Sequence, residues 1–445
     1  MTNTLNTPNQ KIKPITLKRN ADSCIEIGGC AMSDLAAKFG TPLYIFDEKT
    51  IRSILNDYKK AFENYPKNNM LYASKAFMVQ AAAKILHSEN FNFDMVSGGE
   101  IYTVLSAGLS IEKSIFNGNN KNYDEIFLAI ENNIGRISVD NFLELALVNE
   151  VAKSLGKKVN ILLRITPGIE CHTHEYIQTG HLDSKFGFDL TQIDEAIDLI
   201  NDEYKNLVLK GLHAHIGSQI FEIKVYYDEI EVLLKEIKRI KDKFGIELLE
   251  INIGGGLGIK YTQNDNPPSI YEIAEAIIKS IEENTKKFGL EKPLIYIEPG
   301  RSVIGTAGVT LYTVGSSKQV PNGRKYIAVD GGMADNPRPS MYQAEYSADK
   351  VELEENEKKE VVTIAGRFCE SGDILIKDVE LPKLNEGDLL CVYNTGAYCY
   401  SMSSNYNRVL KPAAILVNEG RADIIVERES YEHLVDLDRI PERLK

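Results

Sequence analysis

The sequence predicts an α/β protein that combines a TIM (β/α)8 barrel with a C-terminal antiparallel β domain of barrel or sandwich type. Three observations carry this prediction. Between residues 49 and 301, eight short apolar runs alternate with helix-length segments. After residue 301 the runs are shorter and separated by turn residues. Three consecutive glycines, Gly254, Gly255 and Gly256, directly follow the seventh run, where barrels of this kind often bind phosphate.

The eight apolar runs lie at residues 70–73, 92–96, 114–117, 136–139, 160–165, 208–216, 248–253 and 294–297. Helical segments are predicted between them, several with an i, i+3, i+4 apolar stripe, at residues 51–65, 99–107, 142–154, 225–244 and 270–288. Eight strand–helix units in about 250 residues match the size of a TIM barrel. An open doubly wound sheet is the alternative, but it would leave edge strands and usually has fewer units.

The segments that flank the barrel predict a second domain. Residues 1–20 are polar and predict a flexible tail, and residues 21–48 predict a strand, a helix capped by Ser33 and a strand at 42–46 that together complete the β domain. The barrel is predicted over 49–305 and the β domain over 306–445. Strands of the β domain are predicted at residues 309–314, 326–329, 361–365, 388–393, 413–417 and 423–426.

Composition excludes several classes of function. The chain has 51 Lys and Arg against 64 Asp and Glu, a net charge of −13, which argues against nucleic acid as a partner. Its six cysteines form no C-x-x-C pair and predict reduced thiols. The first 20 residues lack the apolar core of a signal peptide, and no run approaches membrane length. We therefore expect a cytoplasmic protein with no membrane partner.

The strand ends predict a cofactor site. Lys75 follows the first strand, and Glu298 and Arg301 follow the eighth, so all should meet the glycine cluster at one rim of the barrel. Taken singly, Lys75 could be a surface residue and the glycines a structural turn. Together, a lysine amine and a phosphate cradle suggest pyridoxal 5'-phosphate held covalently by Lys75.

The sixth and eighth strands predict the chemistry. His213 and His215 share one face and could bind a metal, but no third ligand has suitable spacing, so we favour no metal and an imidazole packed against a cofactor ring. Ser218 can donate to a phosphate oxygen. A Glu298 carboxylate facing the pyridine nitrogen would keep it protonated, which makes the ring the electron sink that decarboxylation needs. Capping or pairing with a nearby arginine is the alternative role for Glu298.

These motifs resemble those of the fold-type III pyridoxal phosphate decarboxylases. Within that group they are most similar to the diaminopimelate decarboxylases, which convert meso-2,6-diaminopimelate to L-lysine and CO2 in the last step of lysine biosynthesis. The resemblance extends from about residue 42 to residue 412. The matching stretches are residues 72–76, 211–219, 254–256, 298–301, 329–333, 338–339, 369–373 and 396–398.

The resemblance implies roles around the cofactor. Lys75 would carry it as a Schiff base, His215 would stack on the ring, Glu298 would pair with the pyridine nitrogen, and Tyr398 would close the site. The phosphate would lie near Ser218, Gly254, Gly255, Gly256, Gly300 and Arg301. Asp94 and Glu100 could orient Lys75 or His215, although ordinary roles at a strand end and in a helix first turn are favoured.

The resemblance also implies how the substrate is chosen. Arg301, Arg338 and Tyr342 would hold the distal carboxylate, because an arginine fork can bond both oxygens. Glu370 would reach the distal amino group, and Cys369 or Lys75 would serve the proton at the α-carbon. Cys369 and Glu370 would cross from a second subunit, so we expect a homodimer with shared active sites. Without the resemblance, Cys369 would be expected to be a buried apolar thiol.

Several rivals remain at this stage. One is a decarboxylase of ornithine, arginine or carboxynorspermidine, whose basic distal group would meet the positive charge of Arg338. A racemase would place an arginine, not Glu298, beside the pyridine nitrogen. A non-catalytic pyridoxal phosphate-binding protein would not need Lys75 and Cys369. The segment 167–187, with His172, His174 and His181, is a candidate lid whose histidines could equally be ordinary loop residues.

Overall fold

The computed structural model describes residues 6–168 and 184–445. The chain forms two compact units. The first contains the residues up to Gln10 together with Arg52–Ile259 and Asn266–Val303. The second contains Lys11–Ile51, Lys260–Asp265 and Ile304–Lys445. The predicted boundary at 305/306 puts Lys260–Asp265 in the barrel, whereas these residues belong to the second unit.

The described part of the N-terminus is packed rather than loose. Pro8–Gln10 forms a 3-10 turn in which Asn9 is fully buried. The Asn9 amide donates to the carbonyl oxygens of Gly258 (3.2 Å) and Pro268 (2.9 Å). The prediction of a flexible tail over residues 1–20 is therefore wrong for residues 6–20. A polar composition is compatible with order here because distant backbone carbonyls satisfy the polar side chain.

The next residues form short elements of the second unit. Strands β1 (Lys18–Arg19), β2 (Ile25–Ile27) and β3 (Cys30–Ala31) form a three-stranded sheet. Helix α1 (Met32–Phe39) follows, and strand β4 (Leu43–Asp47) ends the segment. The helix begins at Met32, after Ala31, so the predicted N-cap role of Ser33 is wrong.

Eight parallel strands close into the predicted barrel. Each predicted run overlaps one of them, and the barrel closes where Met70 of the first strand pairs with Ile297 of the last. Because both faces of these strands are buried, they form continuous apolar runs without strict alternation. The strands are β5 (Asn68–Ala73), β6 (Asn92–Met95), β7 (Ile115–Phe116), β8 (Arg136–Val139), β9 (Val159–Arg164), β10 (Leu207–His213), β11 (Glu250–Asn252) and β12 (Leu294–Ile297).

Helices surround the barrel, and their ends follow local signals in the sequence. The helix Ile270–Phe288 starts at a capping box of Ser269 and Glu272 and stops at Gly289, which has a positive φ of 65°. The helices are α2 (Glu48–Ala61), α3 (Gln80–Ser88), α4 (Gly98–Ser106), α5 (Tyr123–Glu131), α6 (Phe142–Ser154), α7 (Ile193–Asp202), α8 (Lys224–Phe244), α9 (Ile270–Phe288) and the short α10 (Arg301–Ile304).

The second unit contains the predicted β domain, completed by β4. Its remaining elements are β13 (Gly308–Gln319), β14 (Lys325–Val329), α11 (Arg338–Tyr342), β15 (Ala348–Lys350), β16 (Lys359–Ala365), β17 (Ile374–Pro382), β18 (Leu389–Val392), β19 (Ala413–Asn418), β20 (Arg421–Val426) and α12 (Tyr431–Val435). The nine-stranded sheet has the order β17-β16-β14-β13-β4-β19-β20, and β18 joins β13 to β15.

The sheet is mixed, which corrects the prediction of a wholly antiparallel domain. Strand β4 pairs antiparallel with β13 but parallel with β19, and β14 is parallel to β16. Strand β4 can take this position because it precedes the barrel and enters the sheet between two strands that follow it. Its residues Leu43 and Ile45 pack with Val309, Leu311 and Ile415 in one core. Among the described residues, no helix has the length and apolarity to cross a membrane.

The packed N-terminus generates the first prediction. Asn9→Ala should lower the thermal unfolding midpoint, because it leaves two carbonyl oxygens near a buried site without their donor, a loss of about 1–3 kcal/mol. Calorimetry of the purified variant measures this. Lys11→Ala, at an exposed position close by, is the control and should leave the midpoint unchanged. Equal midpoints for both variants would contradict the anchoring role of Asn9.

Candidate active site

A glycine cradle forms where β11 ends. Gly254 and Gly256 have positive φ values of 60° and 107°, which L side chains rarely adopt. A Cβ at Gly255 would lie 2.1 Å from the Glu298 carbonyl oxygen, and one at Gly256 would lie 2.8 Å from the Gly217 carbonyl oxygen. Glycine is therefore required by both backbone conformation and close approach. The result is a loop of bare backbone at the rim of the barrel.

A hydroxyl and a guanidinium lie together beside this cradle. Arg301, the first residue of α10, donates from Nε and Nη2 to Ser218 Oγ at 3.2 and 3.0 Å. Ser218 follows Gly217, whose carbonyl approaches the Gly256 position. Gly300 packs so closely that a Cβ there would lie 2.9 Å from Ala73 Cβ. The predicted phosphate-binding residues of strands six, seven and eight are thus neighbours in space.

Lys75 lies at the same rim. It occupies a 3-10 turn, Ser74–Ala76, immediately after β5, and its side chain is exposed. The Ala73 N–H donates to the Pro299 carbonyl oxygen at 3.1 Å, which holds the end of the first strand to the segment after the eighth. The Lys75 ammonium lies close enough to Asp94 to lower the pKa of that carboxyl, which opposes the rise that burial causes.

Glu298 is buried and held by two amides. Asn252 Nδ2 and Asn117 Nδ2 donate to its Oε1 at 2.6 and 2.9 Å, whereas Oε2 lies 3.8 Å from His213 Nε2. Burial, and then the nearby Asp94 carboxylate, raise the pKa of Glu298 to about 8. One carboxyl oxygen is therefore fixed by the protein, and the other faces away from the amides.

Two further carboxyls belong to this cluster. Asp94, at the end of β6, accepts a hydrogen bond from the same Asn117 amide nitrogen that donates to Glu298. Glu100, in the first turn of α4, accepts the Val96 N–H at 2.7 Å. Burial raises the pKa of Glu100 to about 7. The charge of Lys75 lowers the pKa of both carboxyls. Asp94 also lies at a strand end and Glu100 in a helix first turn, which are the ordinary roles that the sequence favoured.

The two histidines of the sixth strand contact different partners. His213 ends β10, is buried and lies 2.7 Å through Nδ1 from Ser138 Oγ. His215 lies beyond the strand, where its Nδ1 accepts the Gly255 N–H at 3.2 Å. Burial comes first among the causes that lower the pKa of each imidazole well below its usual value. Both rings are therefore neutral near pH 7, and the Gly255 contact fixes the His215 ring beside the glycine cradle.

Three residues of this site were not predicted from the sequence. Asn117 and Asn252 hold Glu298, and Ser138 contacts His213. Each is a polar residue inside or at the end of an otherwise apolar barrel run, a signal that was present in the sequence. Arg164, at the end of the fifth run, gives the same signal. It is buried, and its Nη1 lies 3.6 Å from Asp140 Oδ1.

A second cluster lies in the second unit around Arg338, the first residue of α11. Arg338 is buried, and its Nη1 donates to the hydroxyls of Tyr261 (2.8 Å) and Tyr346 (2.6 Å). The guanidinium carbon also lies 5.0 Å from the centre of the Tyr261 ring. Among the described residues, none accepts a hydrogen bond from Nε or Nη2 of Arg338.

The loop that carries Cys369 and Glu370 also lies in the second unit. Both side chains are exposed, so the alternative of Cys369 as a buried thiol is wrong. The Cys369 N–H donates to Asn407 Oδ1 at 3.1 Å, and the Tyr406 hydroxyl donates to Glu370. The Ser340 hydroxyl of α11 donates to the Gly372 carbonyl oxygen at 2.8 Å. Helix α11 and this loop are therefore joined.

The remaining predicted residues have simple placements. Tyr342 is half-buried at the end of α11, and Tyr398 is half-buried in a loop with a positive φ of 65°. The candidate lid residues His172, His174 and His181 lie outside the described residues, as does Cys171.

The shifted Glu298 carboxyl generates the second prediction. Because its pKa is raised from 4.5 to about 8 on folding, the native state holds this proton more tightly than the unfolded state. The contribution of the protonated Glu298 carboxyl to the free energy of unfolding is therefore complete below pH 4.5 and is lost as pH rises to about 8. In ligand-free protein, Glu298→Gln should match wild type near pH 5 and unfold at a higher temperature than wild type at pH 8.

Scanning calorimetry from pH 5 to 9 measures this difference. Glu63→Gln, at an exposed position of the same unit, is the matched control and should follow wild type at every pH. A Glu298→Gln curve that stays parallel to wild type would show that the carboxyl is ionised in the folded protein.

Comparison with known proteins gives the family. Residues 49–305 match the family described as pyridoxal-dependent decarboxylase, pyridoxal binding domain. The chain is 46% identical to diaminopimelate decarboxylase of Bacillus subtilis (strain 168), over 95% of this chain and 97% of that protein. It is 48% identical to diaminopimelate decarboxylase of Synechocystis sp., over 98% of this chain and 95% of that protein.

A solved structure agrees with this assignment. Diaminopimelate decarboxylase from M. jannaschii in complex with L-lysine matches with a TM-score of 0.91 and 36% identity, covering 98% of this chain and 100% of that one. The chain therefore belongs to the pyridoxal-dependent decarboxylases and, within them, to the diaminopimelate decarboxylase family.

Proposed function

We propose that this protein decarboxylates meso-2,6-diaminopimelate to L-lysine and CO2, as its relatives' names indicate for them. The reaction is the last step of lysine biosynthesis. The protein is a pyridoxal phosphate-dependent carboxy-lyase, as membership of this family implies. The observation that supports the choice of substrate is the open edge of the buried Arg338 guanidinium.

The described residues of the barrel fit pyridoxal 5'-phosphate. The backbone of Gly254, Gly255 and Gly256, whose Cβ positions are blocked or strained, suits a phosphate, since N–H groups without side chains can surround an anion. Ser218, Gly300 and Arg301 extend the same cradle. The neutral His215 ring, fixed by Gly255, suits a face of the cofactor ring, and Tyr398 would close the site.

The protein's acids and amines have distinct roles in this proposal. When bound, pyridoxal phosphate supplies the electron sink for the pair left behind when CO2 departs. Glu298 would hold the proton on the pyridine nitrogen through Oε2, since Asn117 and Asn252 bind Oε1. Lys75 would hold the cofactor through its side-chain amine. Cys369 or Lys75 then delivers a proton to the α-carbon.

Arg338 selects the far end of the substrate. Its Nη1 is occupied by Tyr261 and Tyr346, so Nε and Nη2 form a fork that matches the two oxygens of a carboxylate. Diaminopimelate carries such a carboxylate at its distal carbon, whereas ornithine, arginine and carboxynorspermidine carry a cation there. We assign Tyr342 and Arg301 to the same carboxylate and Glu370 to the distal ammonium.

The enzyme we propose is a cytoplasmic homodimer with shared active sites. The exposed side chains of Cys369 and Glu370 support this, because a proton donor must reach a reacting carbon, and an exposed loop is available to a second copy. The free thiols of the five described cysteines are consistent with a reducing compartment.

The third prediction concerns the product. Holoenzyme supplied separately with meso-diaminopimelate, ornithine, arginine and lysine should release product from the first alone, identified as lysine by mass spectrometry. Arg338→Lys should raise KM for diaminopimelate by about ten-fold or more and change kcat less, because a lysine keeps the charge but loses the fork.

Arg324→Lys is the matched control, since Arg324 is exposed and pairs with Asp378 on the surface of the same unit. It should leave KM unchanged. Product from ornithine or arginine would overturn the substrate assignment. An unchanged KM in Arg338→Lys would remove Arg338 from the substrate site.

The fourth prediction tests shared active sites. Lys75→Ala and Cys369→Ala should each lose most activity. Equal mixing with subunit exchange should restore about one quarter of wild-type activity, because half of the dimers are then mixed and each has one intact site. Sites formed within single chains would give no recovery.

A further inference from the structure

The barrel carries a cavity at the end opposite to Lys75, here called the amino-end cavity. It has a volume of about 620 Å³ and is lined by residues at or just before the first positions of β5, β6, β7, β8 and β12. Lys75 lies beyond the carboxyl end of β5, so the candidate active site is at the other end of the strands. Pockets that bind small molecules typically measure about 300–1,000 Å³. The amino-end cavity is therefore large enough for a small ligand.

A closed network of charges forms one wall of this cavity. Arg136, the first residue of β8, donates from Nε and Nη2 to the two carboxylate oxygens of Glu250 at 2.8 and 2.7 Å. The Tyr296 hydroxyl donates to the same carboxylate at 3.1 Å. These groups satisfy one another, as bidentate pairs do. The wall is therefore fixed and neutral, and the charge that selects a ligand must come from other residues.

Three half-buried asparagines line the cavity at the starts of β5 and β6. Asn92 Nδ2 donates to Asn69 Oδ1 at 2.8 Å, and Asn69 Nδ2 donates to the Lys113 carbonyl oxygen at 2.9 Å. Asn68 Nδ2 donates to the Tyr65 carbonyl oxygen at 2.5 Å. No described residue donates to Asn68 Oδ1 or Asn92 Oδ1. Both oxygens can therefore accept hydrogen bonds from a ligand.

Three charged side chains at the mouth of the cavity have no ion-pair partner in the described part of the chain: Glu63, Glu112 and Lys113. Lys59, which also lines the cavity, pairs instead with Glu89 at 2.5 Å. Two carboxylates and one ammonium are thus available to a ligand. Their charges complement a molecule that carries two ammonium groups and one carboxylate.

We propose that the amino-end cavity binds a basic α-amino acid whose aliphatic side chain ends in an ammonium group, the class to which L-lysine belongs. Its carboxylate pairs with Lys113, and its two ammonium groups pair with Glu63 and Glu112. The asparagine oxygens accept the remaining ammonium hydrogens. The methylene chain packs on Phe62 and Phe91, which supply apolar surface to the lining.

This inference goes beyond the proposed function and does not depend on it. L-Lysine is the product of the proposed reaction, so each chain would have one lysine site at the cofactor and another in the amino-end cavity. The two sites use different residues. The proposed substrate site needs Arg338 of the second unit, whereas every lining residue of the cavity belongs to the first unit.

Isothermal titration calorimetry of the holoenzyme with L-lysine tests the inference. Arg338→Lys should retain one binding event per chain, because the cavity is unchanged. In that background, Glu63→Gln and Glu112→Gln should each raise the dissociation constant by about three-fold, and the double variant by about ten-fold. Glu275→Gln is the matched control, since Glu275 is exposed on the same unit outside the cavity.

A ligand series identifies the groups that the cavity recognises. L-Norleucine, which lacks the side-chain ammonium, should bind more weakly than L-lysine, and cadaverine, which lacks the carboxylate, should also bind more weakly. Lys113→Gln should weaken L-lysine by about three-fold but leave cadaverine unchanged, because only L-lysine has a carboxylate for this residue to pair with. Norleucine binding as tight as that of lysine would overturn the inference.

The outcomes separate this inference from the proposed function. If lysine forms from diaminopimelate but the Arg338→Lys holoenzyme binds no lysine, the inference fails and the function stands. An unchanged dissociation constant in the Glu63→Gln, Glu112→Gln double variant would also overturn the inference. If the chain forms no lysine while the two glutamate variants weaken lysine binding, the cavity assignment stands and the function fails.

Discussion

The burial of one carboxyl group, that of Glu298, sets the arrangement of the whole barrel site. A carboxylate in an apolar interior costs several kcal/mol unless donors and cations surround it. Asn117, directly after β7, and Asn252, in β11, supply the donors, and Lys75 lies near enough to offset the charge. Burial and the Asp94 carboxylate still raise the pKa of Glu298, so the donors and Lys75 offset the cost of its charge only in part. In the proposed function, a cationic ring nitrogen beside Glu298 would complete this compensation.

Close approach of backbone segments is the second constraint. The loop 254–256 can pass beside Glu298 and Gly217 only because it has no side chains. The same closeness positions the His215 ring through a single N–H. The conformation of the loop, its approach to the Glu298 backbone and the His215 contact therefore depend on one short run of glycines, and substitutions in that run would act on all three together.

The barrel was predictable because its strands and helix starts are marked by residues that are close together in the sequence. Parallel strands buried on both faces leave continuous apolar runs, and Asn141 and Ser269 mark the starts of α6 and α9, whose bounds match the prediction. Pairings across the barrel were not predictable. That Asn117 and Asn252 meet on one oxygen of Glu298 follows from barrel closure, which joins strands far apart in the chain. The burial of Asn9 depends on carbonyls some 250 residues away and leaves no local signal.

The six residues Lys260–Asp265 follow the glycine loop of the first unit in sequence and support Arg338 in the second unit. They follow the glycine cradle almost directly, yet they belong to the unit that contains Arg338, and their Tyr261 holds that arginine. Recombination between relatives at the end of the barrel would therefore separate Arg338 from its support. A chimera that takes only the residues after 303 from a donor would inherit the arginine without the donor's tyrosine. A graft of the second unit that is to keep the Arg338–Tyr261 contact must therefore include this short internal segment.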